Sequence, residues 1–165
     1  MAESGLFLPR RQQNACAKMP FAIIVDIDET LCTQFDVPVE SAISVLRRID
    51  ELKLEVHYVT ARTSVCRVAT EKFIRAYRLP GVQNVHYCPA GISSLEHKRM
   101  QHQSLGQELR VLASIGDSFE EELAAAAVGI PFVMADPFRL GDAWTNLADR
   151  IAEAGGIQAV IHRGL

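Results

Sequence analysis

The chain lacks most of what would mark a disulfide scaffold, a membrane span or a nucleic-acid surface. It has four cysteines in 165 residues, Cys16, Cys32, Cys66 and Cys88. None stands in a CxxC pair, so their spacing offers neither a zinc site nor a small disulfide framework. They are read as reduced thiols, which suits a cytoplasmic protein. No apolar run approaches the roughly 18 residues that a bilayer-spanning helix needs. There is no basic excess either: 17 Lys and Arg stand against 20 Asp and Glu. That removes the usual electrostatic footprint for nucleic acid or an anionic membrane. The five histidines form no HExxH or other metal pattern. The opening MAESGLFLPRRQQNACAKMP has no long apolar core, which argues against an export signal. Residues 1–19 are therefore expected to be a loosely held lead-in, and 20–165 one domain.

Within that domain, apolar runs and amphipathic segments alternate. Hydrophobic residues make up 48% of the chain, enough for a sizeable core. FAIIVD is a short, β-branched apolar run and reads as a buried strand. From Ser41, SAISVLRRIDEL places Ile43, Leu46, Ile49 and Leu52 at helical spacing. LEVHYVT predicts a strand ending at Thr60, and SVCRVATEKFIRAYRL a helix closed by Pro80-Gly81. A strand at NVHYCP, a helix near Ser94 to Glu108, a strand at VLASIGD and a helix at FEEELAAAAVG follow. IPFVMADP is the fifth strand and DAWTNLADRIAEAGG a last helix. The closing IQAVIHRGL suits a strand or a helix. Such alternation predicts an α/β, three-layer, Rossmann-like fold. Its sheet should be mostly parallel and five-stranded, with helices on both faces.

Ligands of an open parallel sheet bind beyond the carboxyl ends of its strands. Polar residues collect there: Asp26 and Asp28 after the first strand, Thr60 and Arg62 after the second, Asp117 and Ser118 after the fourth. Carboxylates on one rim make a hard-oxygen site of the kind Mg²⁺ takes, together with substrate phosphate. An Asp in that position can serve as a nucleophile and form an aspartyl-phosphate. A neighbouring Asp can give and take a proton. Thr60 and a lysine would hold a phosphoryl group.

DIDET, VTAR, Lys98 and IGDSFEEE resemble, in order, the four motifs of the haloacid dehalogenase-like (HAD) phosphatases. The resemblance implies Asp26 as nucleophile and Asp28 as general acid and base. It implies Thr60 as phosphate-binding hydroxyl and Lys98 as the neutralising cation. Thr30 would hold the loop and, with Arg62 and Ser118, lie on the substrate side. Mg²⁺ would be held by Asp26, the backbone carbonyl of Asp28, and Asp117. Glu121 stands where the family often has a second Asp, so it either reaches the metal's water shell, holds Lys98, or belongs to a merely charged helical turn. Thr60 also suits a helix cap, Arg62 a solvated surface, Lys98 a polar helix face, and Ser118 a cap. The intervals from Thr30 to Thr60 and from Thr60 to Lys98 are filled by helix and strand, so no cap domain is expected. Family members without a cap often act on macromolecules, a phosphoprotein or a nucleic-acid end. The implied activity is Mg²⁺-dependent phosphomonoester hydrolysis. The alternatives are a phosphotransferase using the same intermediate, or a non-catalytic phospho-ligand-binding module or complex subunit. No membrane partner is expected, and no interface stripe indicates an oligomer.

Overall fold

The computed structural model describes residues 19–33, 36–51 and 54–135, together with Trp144 and Leu147. The central sheet holds β1 (Phe21–Val25), β4 (Glu55–Thr63), β5 (Val85–Cys88), β6 (Arg110–Gly116) and β7 (Phe132–Met134). Their spatial order is β5-β4-β1-β6-β7, and every pairing is parallel. Two short strands, β2 (Cys32–Thr33) and β3 (Val37–Pro38), form a small antiparallel ladder after β1. The helices are α1 (Glu40–Glu51), α2 (Arg67–Ala76), α3 (Ser94–Glu108) and α4 (Phe119–Ala126). The expected five-stranded α/β architecture is the one observed.

Side-chain alternation along each strand sorts the core into two layers. Ile23, Val25, Val56, Tyr58 and Ile115 pack on one face against Ile43, Leu46 and Ile49 of α1 and Phe73 and Ile74 of α2. Trp144 and Leu147 join that layer. Ala22, Ile24 and Val59 face the other way, against Leu105 of α3 and Ala125 of α4. Of the expected α1 stripe, Ile43, Leu46 and Ile49 are buried, because one helical face must leave water, and Leu52 lies outside the described residues.

The chain steps outward from β1 to β4 and β5, then returns through α3 to β6 on the other side of β1. This reversal puts a crevice at the carboxyl end of β1, where an open α/β sheet binds its ligands.

Some boundaries differ from the sequence expectations. β4 runs past Thr60 to Thr63, and its pairing with β5 slips register between those residues. The helix expected from Ser64 divides into a 3₁₀ turn, Ser64–Cys66, and α2, which stops at Ala76. Trp144 and Leu147 are helical, whereas the rest of the expected final helix and the closing IQAVIHRGL lie outside the described residues. Residues 1–18 of the expected lead-in 1–19, with Cys16, lie outside them too. The described cysteines, Cys32, Cys66 and Cys88, are free thiols. Among the described residues, no helix is long and apolar enough to cross a membrane.

Candidate active site

Asp26 follows directly on β1, and its backbone N–H donates to Ile115 O at 2.9 Å, which extends the β1–β6 ladder to the rim. The residue is buried, and its Oδ1 has no hydrogen-bond partner. Lys98 Nζ stands 3.7 Å from that oxygen, near enough for attraction and too far for a hydrogen bond. Burial pushes the Asp26 carboxyl up to about 7; Lys98 opposes the shift and Asp117 adds to it.

Lys98 lies on α3 and is buried. It pairs with Glu121 of α4, so the polar-helix-face alternative for Lys98 fails. Glu121 is buried and also accepts from the Ser118 hydroxyl and, at 2.9 Å, from the Ser118 N–H. Ser118 caps α4, with its Oγ accepting from Glu120 N–H at 3.3 Å, and Glu121 closes a reciprocal capping box. Glu121 therefore holds Lys98, one of its expected alternatives, and also caps its own helix, a role the sequence did not single out. Its chain lies over Gly116, where an added Cβ would stand 2.5 Å from Glu121 Cγ.

Asp26, Asp117 and Glu121 each bring a carboxylate oxygen within 4.8 Å of the others. Three acids around one lysine leave an excess of negative charge in a confined space. Oxygen-only donors and the unpartnered Asp26 Oδ1 fit a hard divalent cation such as Mg²⁺. The Asp28 carboxylate is not part of this group.

Asp28 turns instead toward Arg62. The guanidinium Nε donates to Asp28 Oδ1 and Oδ2, both at 3.0 Å, and Nη2 donates to Oδ1 at 2.7 Å. Nη2 also reaches Asp36 Oδ1 at 2.7 Å, and Nη1 reaches Thr70 Oγ1 at 3.1 Å. Arg62 is thus no solvated surface arginine: its side chain is 13% exposed and joins the loop after β1, the β2–β3 ladder and α2. Nothing in the sequence singled out Asp36 or Thr70 as its partners, since the three positions are far apart in the chain.

Thr60 is fully buried, and its hydroxyl accepts from Arg62 N–H at 3.1 Å. It does not cap the following helix, which starts without a side-chain cap bond. Thr30 is buried with no partner for its hydroxyl. The turn around it is closed by backbone bonds, Leu31 N–H to Ile27 O at 2.9 Å and Glu29 N–H to Cys32 O at 2.8 Å. Glu29 adopts φ 54°, the left-handed conformation that lets the chain reverse there.

α3 carries further polar anchors that no motif announced. His102 Nδ1 lies 2.7 Å from Lys98 O, and its Nε2 lies 2.8 Å from Ser114 Oγ of β6. His97 Nε2 lies 3.1 Å from His86 O. Donation from each ring N–H to its carbonyl leaves His102 Nε2 to accept from Ser114. The only signal available was spacing: His102 falls one helical turn beyond Lys98.

No family model matches the sequence, and no curated protein matches it. Solved structures do match in fold. A chain of the Pnkp1/Rnl/Hen1 complex superposes with a TM-score of 0.62 at 16% identity, covering 71% of this chain and 45% of that one. This chain therefore spans less than half the length of that neighbour. The HAD domain of the effector protein Lem4 from Legionella pneumophila matches with a TM-score of 0.57 at 12% identity, over 80% of this chain and 94% of that one. The class C acid phosphatase from Bacillus anthracis matches with a TM-score of 0.55 at 12% identity, over 84% and 80%. This chain shares the fold of these structures, a HAD domain and an acid phosphatase among them.

Proposed function

We propose that this chain is a Mg²⁺-dependent phosphomonoester hydrolase that works through an aspartyl-phosphate on Asp26. The observation that carries the reading is the meeting of buried Asp26, Glu121 and Lys98 with half-buried Asp117 at the carboxyl edge of the sheet.

An Asp26 carboxylate oxygen attacks phosphorus as the bond from phosphorus to the leaving oxygen breaks. Asp28 gives that leaving oxygen a proton. It then takes one from a water molecule, whose oxygen attacks the same phosphorus and returns Asp26 to a free carboxylate. Lys98 offsets charge on the transferring group, while Thr60 and backbone amides orient it. Thr30, Arg62 and Ser118 border the substrate. Arg62 now holds both Asp28 oxygens, so proton donation requires Asp28 to turn away from it. Asp26, Asp117 and the backbone carbonyl of Asp28 would hold Mg²⁺, with Glu121 reaching its water shell. When bound, the ion supplies positive charge beside the phosphoryl oxygens.

The domain extends over 20–165 after a lead-in at 1–19, has no cap, and works in the cytoplasm. The open rim then suits a macromolecular phosphorylated substrate. Transfer to an alcohol in place of water would make the same site a phosphotransferase. The Arg62 fork on Asp28 favours a second reading, a phospho-ligand-binding module without turnover.

Inorganic phosphate release, with and without Mg²⁺, separates these readings. The substrate panel holds p-nitrophenyl phosphate, sugar phosphates, nucleotides, phosphopeptides and phosphorylated oligonucleotides. Mg²⁺-dependent release that disappears in Asp26→Asn supports the hydrolase. Binding without release supports the module.

A further inference from the structure

Exposed large apolar side chains are ordinarily scattered singly over a surface. Here they are not. Among the described residues eight are exposed, and five of these, Val37, Val65, Val68, Phe119 and Met134, lie at the carboxyl edge of the sheet. Val65 and Val68 are 90% and 80% exposed and follow β4; Phe119 is 66% exposed and opens α4.

Four of the five are linked to the candidate site by short steps. Phe119 is two residues beyond Asp117. Met134 pairs in register with Gly116. Val37 follows Asp36, which Arg62 ties toward Asp28. Val65 follows Arg62 by three residues. Burying any of these side chains inside the domain would have been favourable, so their place at the same edge as the candidate site points to a ligand that covers them.

The charges at this edge narrow the ligand. Asp28, Glu29, Asp36, Glu120 and Glu122 are acids of the same rim. Among the described residues, the cations on the strand ends, loops and first helical turns of this edge are Arg62 and Arg67, and Lys98 reaches in from the second turn of α3. Arg62 is engaged by Asp28 and Asp36. Lys98 is buried against Glu121 and Asp26. Arg67 remains accessible and lies over the Tyr87 ring at 5.1 Å. A nucleic acid needs cations for the phosphates on either side of the reacting one. With Arg62, Asp28 and Asp36 spent on one another, this rim offers one accessible cation, Arg67, against Glu29, Glu120 and Glu122. A polypeptide with apolar and basic side chains meets both features.

We propose that the mouth receives a phosphorylated polypeptide segment whose residues beside the phosphorylated side chain are apolar and basic. The proposal rests on the phosphatase reading for the position of the phosphoryl group alone; the docking surface is Val37, Val65, Val68, Phe119 and Met134.

The test compares wild type with the triple variant Val65→Ser, Val68→Ser, Phe119→Ser. Substrates are a phosphoserine peptide flanked by Leu and Arg, the same peptide flanked by Asp, a 5′-phosphorylated oligonucleotide, and p-nitrophenyl phosphate. The Leu/Arg peptide is expected to lead in kcat/KM. In the triple variant its KM should rise about tenfold, with p-nitrophenyl phosphate turnover unchanged. A preference for the oligonucleotide or the Asp-flanked peptide, or no response to the triple variant, overturns the proposal. Anisotropy of the labelled Leu/Arg peptide is measured in parallel. If wild type releases phosphate from nothing, the hydrolase reading fails. Peptide binding that the triple variant loses would still uphold the surface, and absence of binding would reject it.

Discussion

The two faces of the one sheet differ sharply in chemistry. On the α1/α2 side the packing is almost wholly apolar, with Ile23, Val25, Val56, Tyr58 and Ile115 meeting Ile43, Leu46, Ile49, Phe73 and Ile74. On the α3/α4 side a smaller apolar cluster shares the space with buried His57, His97, Lys98, His102, Ser114 and Glu121. Apolar packing stabilises without regard to a ligand. Buried ionised groups stabilise only when their charges and hydrogen bonds are matched. The α1/α2 layer is therefore the foundation, and the α3/α4 layer trades stability for a fixed constellation of charges at the rim.

The most severe break in this contrast is Asp26→Asn. Phosphate release should fall at least about a thousandfold if Asp26 is the nucleophile. Stability should move the other way. The Asp26 carboxyl is raised from 3.8 to about 7, chiefly by burial. A carboxyl raised on folding contributes stability that is complete below its ordinary value and is lost as pH rises through about 7. Metal-free Asp26→Asn should accordingly melt above wild type at pH 8, with the gap closing toward pH 4. An unchanged melting temperature at pH 8 would show that the wild-type charge is already offset.

Lys98→Ala comes next. It leaves Glu121 and Asp26 without their cation and should cost about 3–5 kcal/mol in urea unfolding, along with activity. Asp117→Asn sharpens the same point with a different observable. Mg²⁺ should raise the melting temperature of wild type and lose most of that effect in the variant. Equal stabilisation of both would place the ion elsewhere.

Leu46→Ala probes the opposite layer. It should cost about 2–5 kcal/mol by opening a cavity under α1. KM and the pH profile of the residual folded enzyme should stay as in wild type. A changed pH profile would mean that the two layers are not separable.

The smallest effect expected is from the histidines. His57 Nδ1 and His86 Nε2 meet at 3.1 Å, and Glu55 lies 3.1 Å from the other His57 nitrogen. Burial, with the neighbouring His57 and His97, pushes His86 down to about 4. Burial also lowers His97 and His102. A histidine lowered on folding contributes stability that is complete above its ordinary value of 6.5 and is lost as pH falls toward about 4. This histidine contribution to the melting temperature should decline over that window, against the gain from Asp26, and His86→Gln should remove part of the decline. An unaltered slope would assign it to other groups.

Much of this was legible from spacing. The continuous apolar run of β1 and the stripe of α1 are local patterns, and each element lies close to where the pattern put it. The capping role of Ser118 was equally local, because cap and partner lie within one helical turn. Arg62 was not legible in this way. Its partners Asp28, Asp36 and Thr70 stand 34, 26 and 8 positions away, and only the closing of β4 beside β1 brings them together. The same holds for His102 with Ser114. The extension of β4 beyond Thr60 was also missed, since the neighbouring strand decides where ladder bonds end.

What the sequence determined by itself is the order of the central strands and helices and the collection of Asp26, Asp28 and Asp117 just beyond strand ends, with Thr60 three residues short of the end of β4. Hydrophobic periodicity is a short-range property, and parallel strands must all present their carboxyl ends to one edge. What the tertiary structure decided is how charge is shared there: Glu121 on Lys98, Arg62 on Asp28 and Asp36, and Asp26 Oδ1 left without a hydrogen bond. Electrostatic partnership depends on distance and burial, and neither exists until the helices have packed against the sheet.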